Sequence, residues 1–211
     1  MKNNILGLSV CILVSICLLC GCQNSGSDNS SASSDYVLTE PQVISDENRH
    51  LIGKEVNDKN KPEIINEEPT DEEGNKPSSI PENTIVTKVS HGIIVPDSIV
   101  IFPCENGETP EVIIPNGGCA IFVPQKNTDG WNCKAGDTLM ISFEKYKSDV
   151  VDAQKIEIGY VKNGVMFEGD FYDEISGKYK VNVKETGEYA LYVMGMAFDP
   201  ITLKTGSVII Q

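Results

Sequence analysis

The sequence predicts an all-β domain of sandwich or barrel type over residues 85–211, and three observations predict it. Beyond Ile85 the apolar residues come in short runs rich in β-branched side chains, with turn formers every eight to twelve residues. Several runs alternate apolar and polar with a period of two, which is the signature of a strand covered on one face. No stretch of this half carries the 3.6-residue period of a long amphipathic helix. The domain's length suffices for a single sandwich core.

The elements follow in chain order. Met1 to Asn4 carry one positive charge, and residues 5–19 run apolar without a charge before the small and polar Gly21-Cys22-Gln23. That is the shape of an export signal, here residues 1–21. The stretch is at the short limit for a membrane-spanning helix. Leu19-Cys20-Gly21-Cys22 decides between the two, because it resembles the lipobox of bacterial lipoproteins: an apolar residue, a spacer, a small residue, then cysteine. The resemblance implies cleavage after Gly21, a thioether-linked lipid on Cys22 and commonly an acyl chain on its new amino group. Two or three buried chains anchor stably where one is marginal. The membrane is therefore an expected partner through Cys22, and the expected location is extracytoplasmic, at the cell surface.

Residues 22–84 turn to Ser, Asn, Asp, Glu and Pro, and carry fourteen acidic against five basic side chains. Such a segment buries too little apolar surface to fold alone and is expected to be a disordered acidic tether. Two short apolar patches in it, Tyr36-Val37-Leu38 and Leu51-Ile52, are candidates for docking on the following domain or on a partner.

Within the domain the expected strands are 85–89, 99–102, 112–114, 120–123, 138–143, 155–161, 165–168, 178–183, 188–194, 201–204 and 207–210, separated by Gly- and Asn-rich turns. Asn163-Gly164 between two of them predicts a tight hairpin. Alternation puts Ile156, Ile158 and Tyr160 inside and Lys155 and Glu157 outside, with one face of each sheet expected in the core and one in water.

Residues 155–161, 185–193 and 201–208 resemble the small jelly-roll-type modules of bacterial surface proteins, including those at the extracytoplasmic end of β-lactam-sensor-type membrane metallopeptidases. The resemblance narrows the expectation to a single jelly-roll-like β-sandwich. It does not bring peptidase activity with it, because the chain has no His-Glu-x-x-His.

The whole chain of 211 residues has 17 basic and 31 acidic side chains, a formal charge of −14, so it lacks the positive field that draws phosphate and is not expected to bind nucleic acid. The domain holds one histidine, His91, with no nucleophile elbow near it, and no arginine. A catalytic role is therefore not expected, and no cofactor is expected beyond a structural calcium ion. The calcium candidate is Glu168, Asp170, Asp173 and Glu174, four carboxylates in what reads as a turn between strands. The ligand-binding candidates are Trp131, which follows Asn127-Thr128-Asp129-Gly130, and Phe171 and Tyr172, since an exposed ring beside amides can stack on a sugar. Cys104, Cys119 and Cys133 supply one disulfide pair among three, or three buried thiols. These features point to a surface-anchored module that binds an envelope ligand, a cell-wall glycan or a protein, without catalysis. The alternatives are an accessory subunit scaffolding a membrane-bound peptidase, sensor or transporter, and a carboxylate-based glycan hydrolase acting through Asp170 and Glu174.

Overall fold

The computed structural model describes residues 37–54 and 79–211. The export signal, the lipobox with Cys22 and residues 55–78 of the expected tether lie outside the described residues. The strands are β1 (Gln42–Val43), β2 (Lys88–Val89), β3 (Ser98–Cys104), β4 (Val112–Ile114), β5 (Gly118–Pro124), β6 (Trp131–Cys133), β7 (Thr138–Glu144), β8 (Ile156–Lys162), β9 (Val165–Tyr172), β10 (Ser176–Asn182), β11 (Gly187–Gly195), β12 (Ile201–Leu203) and β13 (Ser207–Ile210). A single 3₁₀ turn, Arg49–Leu51, is the one helical element among the described residues.

The fold is all-β. One sheet has seven strands in the order β2-β9-β8-β11-β5-β3, with β6 also pairing β11. Two three-stranded sheets, β1-β4-β12 and β10-β7-β13, lie over one of its faces. Their inward residues, including Val112, Leu139, Tyr179, Ile201 and Val208, close on Phe122, Ile156, Ile158 and Leu191 of the large sheet in one continuous core. Most pairs are antiparallel, but β3 runs parallel to β5 and β2 parallel to β9.

The expectation of one dry and one wet face holds for β10, where Tyr179 and Val181 are buried while Lys178 and Lys180 are exposed. It fails in the large sheet. There Cys119, Ile121, Val161, Met166, Ala190, Tyr192 and Met194 form a second core on the opposite face, covered by Ile80, Ile85, Val86 and Ile93. The cover is residues 79–97, which cross that face with only the two residues of β2 in regular structure. Burial on both sides explains the unbroken apolar runs Cys119–Val123 in β5 and Tyr189–Met194 in β11.

Glu157 is corrected as a result. Its place on β8 alternates correctly with Ile156 and Ile158, but the face it points to is dry, and only 2% of it is exposed. The Tyr192 hydroxyl donates to its carboxylate at 2.5 Å, and the Gly169 amide donates at 3.2 Å. Tyr192 lies over Gly159, where a Cβ would sit 2.5 Å from its ring. Gly169 marks a bulge: Ile158 faces Asp170 and Tyr160 faces Phe167, so β9 carries an extra residue, and a Cβ at Gly169 would meet the Ile158 carbonyl oxygen at 1.8 Å.

The expected tether also needs correction over residues 37–54. Gln42 and Val43 pair with Ile113 and Val112, and the Asn48 side chain accepts from the Ser45 amide and donates to the Val43 carbonyl. Leu38 and Leu51 pack on Ile113, the outward residue of β4. The apolar patches noted in the sequence supply two of these contacts, each buried leucine contributing about 2 kcal/mol.

Cys104, Cys119 and Cys133 are free and buried, so the disulfide expected among them is absent. For Cys119 the reason is the double-faced sheet. Cys119 belongs to the core under residues 79–97, whereas Cys104 and Cys133 belong to the core between the sheets. Cys119 is thereby separated from both by the sheet itself.

Candidate functional site

The Asn163-Gly164 hairpin sets the site. Asn163 and Gly164 have φ of 47° and 83°, and this tight turn pairs Lys162 with Val165 and hence Tyr160 with Phe167. Tyr160 and Phe167 therefore stand on one face, their rings stacked with centroids 5.0 Å apart. On the next strand the register places Tyr189 opposite Lys162, and its ring lies 5.9 Å from that of Tyr160. Beyond it β6 places Trp131 directly opposite Tyr189. Four aromatic side chains thus cross four strands, β6, β11, β8 and β9, in one row at one end of the sandwich.

Local chemistry delivers Trp131 to this row. The Asn127 side chain accepts from the Asp129 amide and donates to the Gly130 carbonyl at 2.6 Å, which closes the turn. Gly130 then has φ of 134° and lies so close to β11 that a Cβ would meet the Tyr189 carbonyl oxygen at 2.6 Å. Only glycine lets the chain rejoin β11 one residue before the tryptophan.

Two grooves open along the row. One, of about 380 Å³, is lined by Tyr160, Phe167 and Tyr189 and by Lys162, Asn182, Lys184 and Glu185. The other, of about 230 Å³, is lined by Trp131 with Asn106, Gln125 and Lys126. Lys162 forms an ion pair with Glu185 and lies 5.9 Å from the Tyr189 ring centroid. The hydrogen bond from Lys162 is the chief reason that the Glu185 carboxyl is held below its ordinary value and that the ammonium is held above its own. The Tyr189 hydroxyl donates to the Glu185 carbonyl at 2.8 Å, and its ring is buried in the core between the sheets, so it supports the row from beneath while Trp131, Tyr160 and Phe167 are the partly exposed rings. Burial pushes the Tyr160 phenol up. Rings flanked by amides, ammonium groups and a carboxylate can hold a ligand by stacking and hydrogen bonding.

The other sequence-predicted residues lie elsewhere. Phe171 is opposite Glu157, which itself is opposite Met194, so Phe171 is near the far end of β11 from Trp131. It is half exposed, with the Lys155 ammonium 5.7 Å from its ring centroid. Tyr172 is half-buried, edge-on to Phe143 at 5.1 Å, and its hydroxyl donates to the Lys178 carbonyl. Glu168 and Asp170 are on β9, not in a turn, and the bulge between Phe167 and Asp170 breaks their alternation. Asp173 and Glu174 follow in the short link to β10. The four carboxylates expected to hold calcium are therefore not brought together, and among the described residues no three His, Cys, Asp or Glu side chains are placed to hold a metal ion. His91 is exposed in a turn of the covering segment.

The sequence reading placed Tyr160 and Tyr189 in strands and Phe167 beside Glu168, but did not join them. The hairpin signal alone pairs Tyr160 with Phe167. Their junction with Trp131 needs the register of β11, which no local signal carries.

No family model and no curated protein matches the chain. Among solved structures, the chain is similar to a periplasmic inhibitor of g-type lysozyme from Aeromonas hydrophila, at 14% identity and a TM-score of 0.33, covering 53% of this chain and 98% of that one. No helix among the described residues is long and apolar enough to cross a membrane.

Proposed function

We propose that this chain is a lipid-anchored, extracytoplasmic binding module that takes a glycan-type envelope ligand on its aromatic row and does no chemistry on it. The observation that carries the reading is the partly exposed Trp131 in one polar-lined groove and the stacked Tyr160-Phe167 pair in another, linked through the buried Tyr189. Sugar rings present apolar faces that stack on aromatic rings and hydroxyls that pair with amides. The grooves offer Asn106, Gln125 and Asn182 for the second role. The anchor is supported by Leu19-Cys20-Gly21-Cys22 in the sequence.

Trp131 is the sole tryptophan of the chain, so its fluorescence reports this site alone. Titration with soluble cell-wall oligosaccharides should shift the emission saturably and raise the thermal midpoint, because binding to the native state alone stabilises it. Trp131→Ala and Tyr160→Ala should each weaken binding, measured by calorimetry, about tenfold or more. A flat response across neutral, amino and acidic oligosaccharides would refute the reading. Metabolic palmitate labelling that survives Cys22→Ala would refute the anchor.

A further inference from the structure

The large sheet ends on one side at β3, the last strand in the order β2-β9-β8-β11-β5-β3. All seven of its residues pair in parallel with β5, from Ser98 opposite Gly118 to Cys104 opposite Pro124, without a shift of register. Alternate residues of a strand aim their backbone groups at opposite neighbours. The Gln125 amide donates to the Cys104 carbonyl at 3.2 Å, so Cys104, Phe102 and Val100 bond towards β5, and Ile99, Ile101 and Pro103 aim outward. Pro103 fits that phase, since its missing N–H falls on the side where the sheet needs none. Among the described residues no strand or loop backbone pairs with the outward N–H and C=O groups of Ile99 and Ile101.

The other edges carry the devices that keep a strand from pairing with another chain, namely charge, bulges and shortness. Strand β9 has Glu168, Asp170 and the bulge at Gly169, and β2 takes up its first two residues. Strand β10 carries Lys178 and Lys180, and β1, β12 and β13 are two, three and four residues long. Strand β3 reads Ser-Ile-Val-Ile-Phe-Pro-Cys, without a charge. Its Val100 and Ile101 are only partly buried, one against the core between the sheets and the other against the core under residues 79–97. Their partners on β5, Ala120 and Ile121, are fully buried. Both cores thus run out to this edge and lack a neighbour there.

The register selects the occupant. Two copies related by a two-fold axis present the same strand to each other in antiparallel. With Val100 opposite its own copy, Ile99 of one chain exchanges both backbone bonds with Ile101 of the other, and the reverse pair does the same, so every outward group of the two isoleucines is satisfied. Pro103 then lies opposite Asp97, whose amide is already spent on the Gly117 carbonyl, and the pairing ends where neither strand has a donor to give. Centring on Ile101 instead would leave the Ile99 carbonyl facing the proline and set Asp97 against Glu105 of the other copy. No charge on β3 marks it for a foreign strand. We propose that this chain pairs with a second copy of itself through β3, with Val100 on the two-fold axis, joining the two large sheets into one. The contact does not depend on what the aromatic row binds.

Residues opposite each other in a non-hydrogen-bonded antiparallel pair have Cα atoms about 4.5 Å apart, within reach of a disulfide. Val100→Cys in the full chain, oxidised mildly in the cells that make it, should give a covalent dimer of two copies. The unsubstituted chain, Lys180→Cys on β10 and Ile101→Cys should each give about tenfold less or none. Sedimentation of the purified full chain should show dimers that dissociate on dilution. Val100→Lys and Val100→Glu should each weaken self-association about tenfold or more, and mixing the two variants should restore it, which a folding defect would not do. Should either charged variant fail to fold, the cysteine pattern decides alone. A monomer at every concentration, a Val100→Cys adduct with another protein, cross-links as strong from Ile101→Cys or Lys180→Cys, self-association indifferent to the charged variants, or folded variants that do not rescue each other would each overturn the proposal.

Discussion

A carboxylate in a strand covered on both faces must find its hydrogen bonds within the sheet, and Glu157 finds them in Tyr192 and Gly169. Tyr192→Phe keeps the ring over Gly159 and removes the donor, so it should cost about 1–3 kcal/mol in urea unfolding, with little change in the urea slope. The three thiols show the same environment through pH. Burial pushes Cys104 up from 9.0 to about 12 and Cys133 to about 11, and it raises Cys119 as well, with Glu157 adding to the effect. The folded chain therefore keeps its protons where the unfolded chain releases them. Stability should be level below pH 9 and fall as pH rises from there through the folded values, by up to roughly 1.4 kcal/mol per pH unit for each thiol. Thermal midpoints between pH 7 and 11 check the sign, and Cys104→Ala should flatten the decline. Native thiols should resist a disulfide reagent and react once the chain is unfolded.

At the scale of elements, two connections do more than join strands. Gly130 lets the chain rejoin β11 ahead of Trp131, and the buried Lys145 gathers the loops at the other end, its ammonium donating to the carbonyls of Gln154, Tyr172 and Asp173. Gly130→Ala adds a methyl against backbone at a positive φ, so it should cost about 1 kcal/mol or more and shift the emission of Trp131. Lys145→Met fills the same space but leaves three carbonyls without a donor; a loss of about 3 kcal/mol, with faster amide exchange in residues 171–175, is expected. Strand positions were legible because period-two runs and Gly-Asn turns are local signals, and Val112–Ile114 emerges with the bounds expected of it. Strand β6 was not, being three residues long and held by register with β11. Glu157 was assigned to water because a charge at alternate positions reads as wet unless something covers that face. The cover, residues 79–97, has no period to betray it. Of the site, Trp131 was legible as an aromatic residue after a turn, whereas Lys145 looked like any strand-end lysine.

For the whole molecule, the sandwich does not begin where its regular pattern begins. Ile113 is fully buried because Leu38 and Leu51 cover it, and the second core reaches back to Ile80. A chain starting at Ile85 should therefore melt roughly 10 °C below one starting at Gln23, and Leu51→Ala in the longer chain should reproduce part of that loss. Scanning calorimetry of the three proteins decides it, and equal midpoints would show that residues 37–54 add no stability.

The docking of residues 37–54 also changes what a protease could accomplish. The described residues stop at Lys54 and resume at Ser79. A cut anywhere between those points would break the covalent chain without separating its halves, since β1, the asparagine-stapled turn and the two leucines would still grip β4. Nicking there would leave two peptides that behave as one, with residues 37–54 still seated on the sandwich.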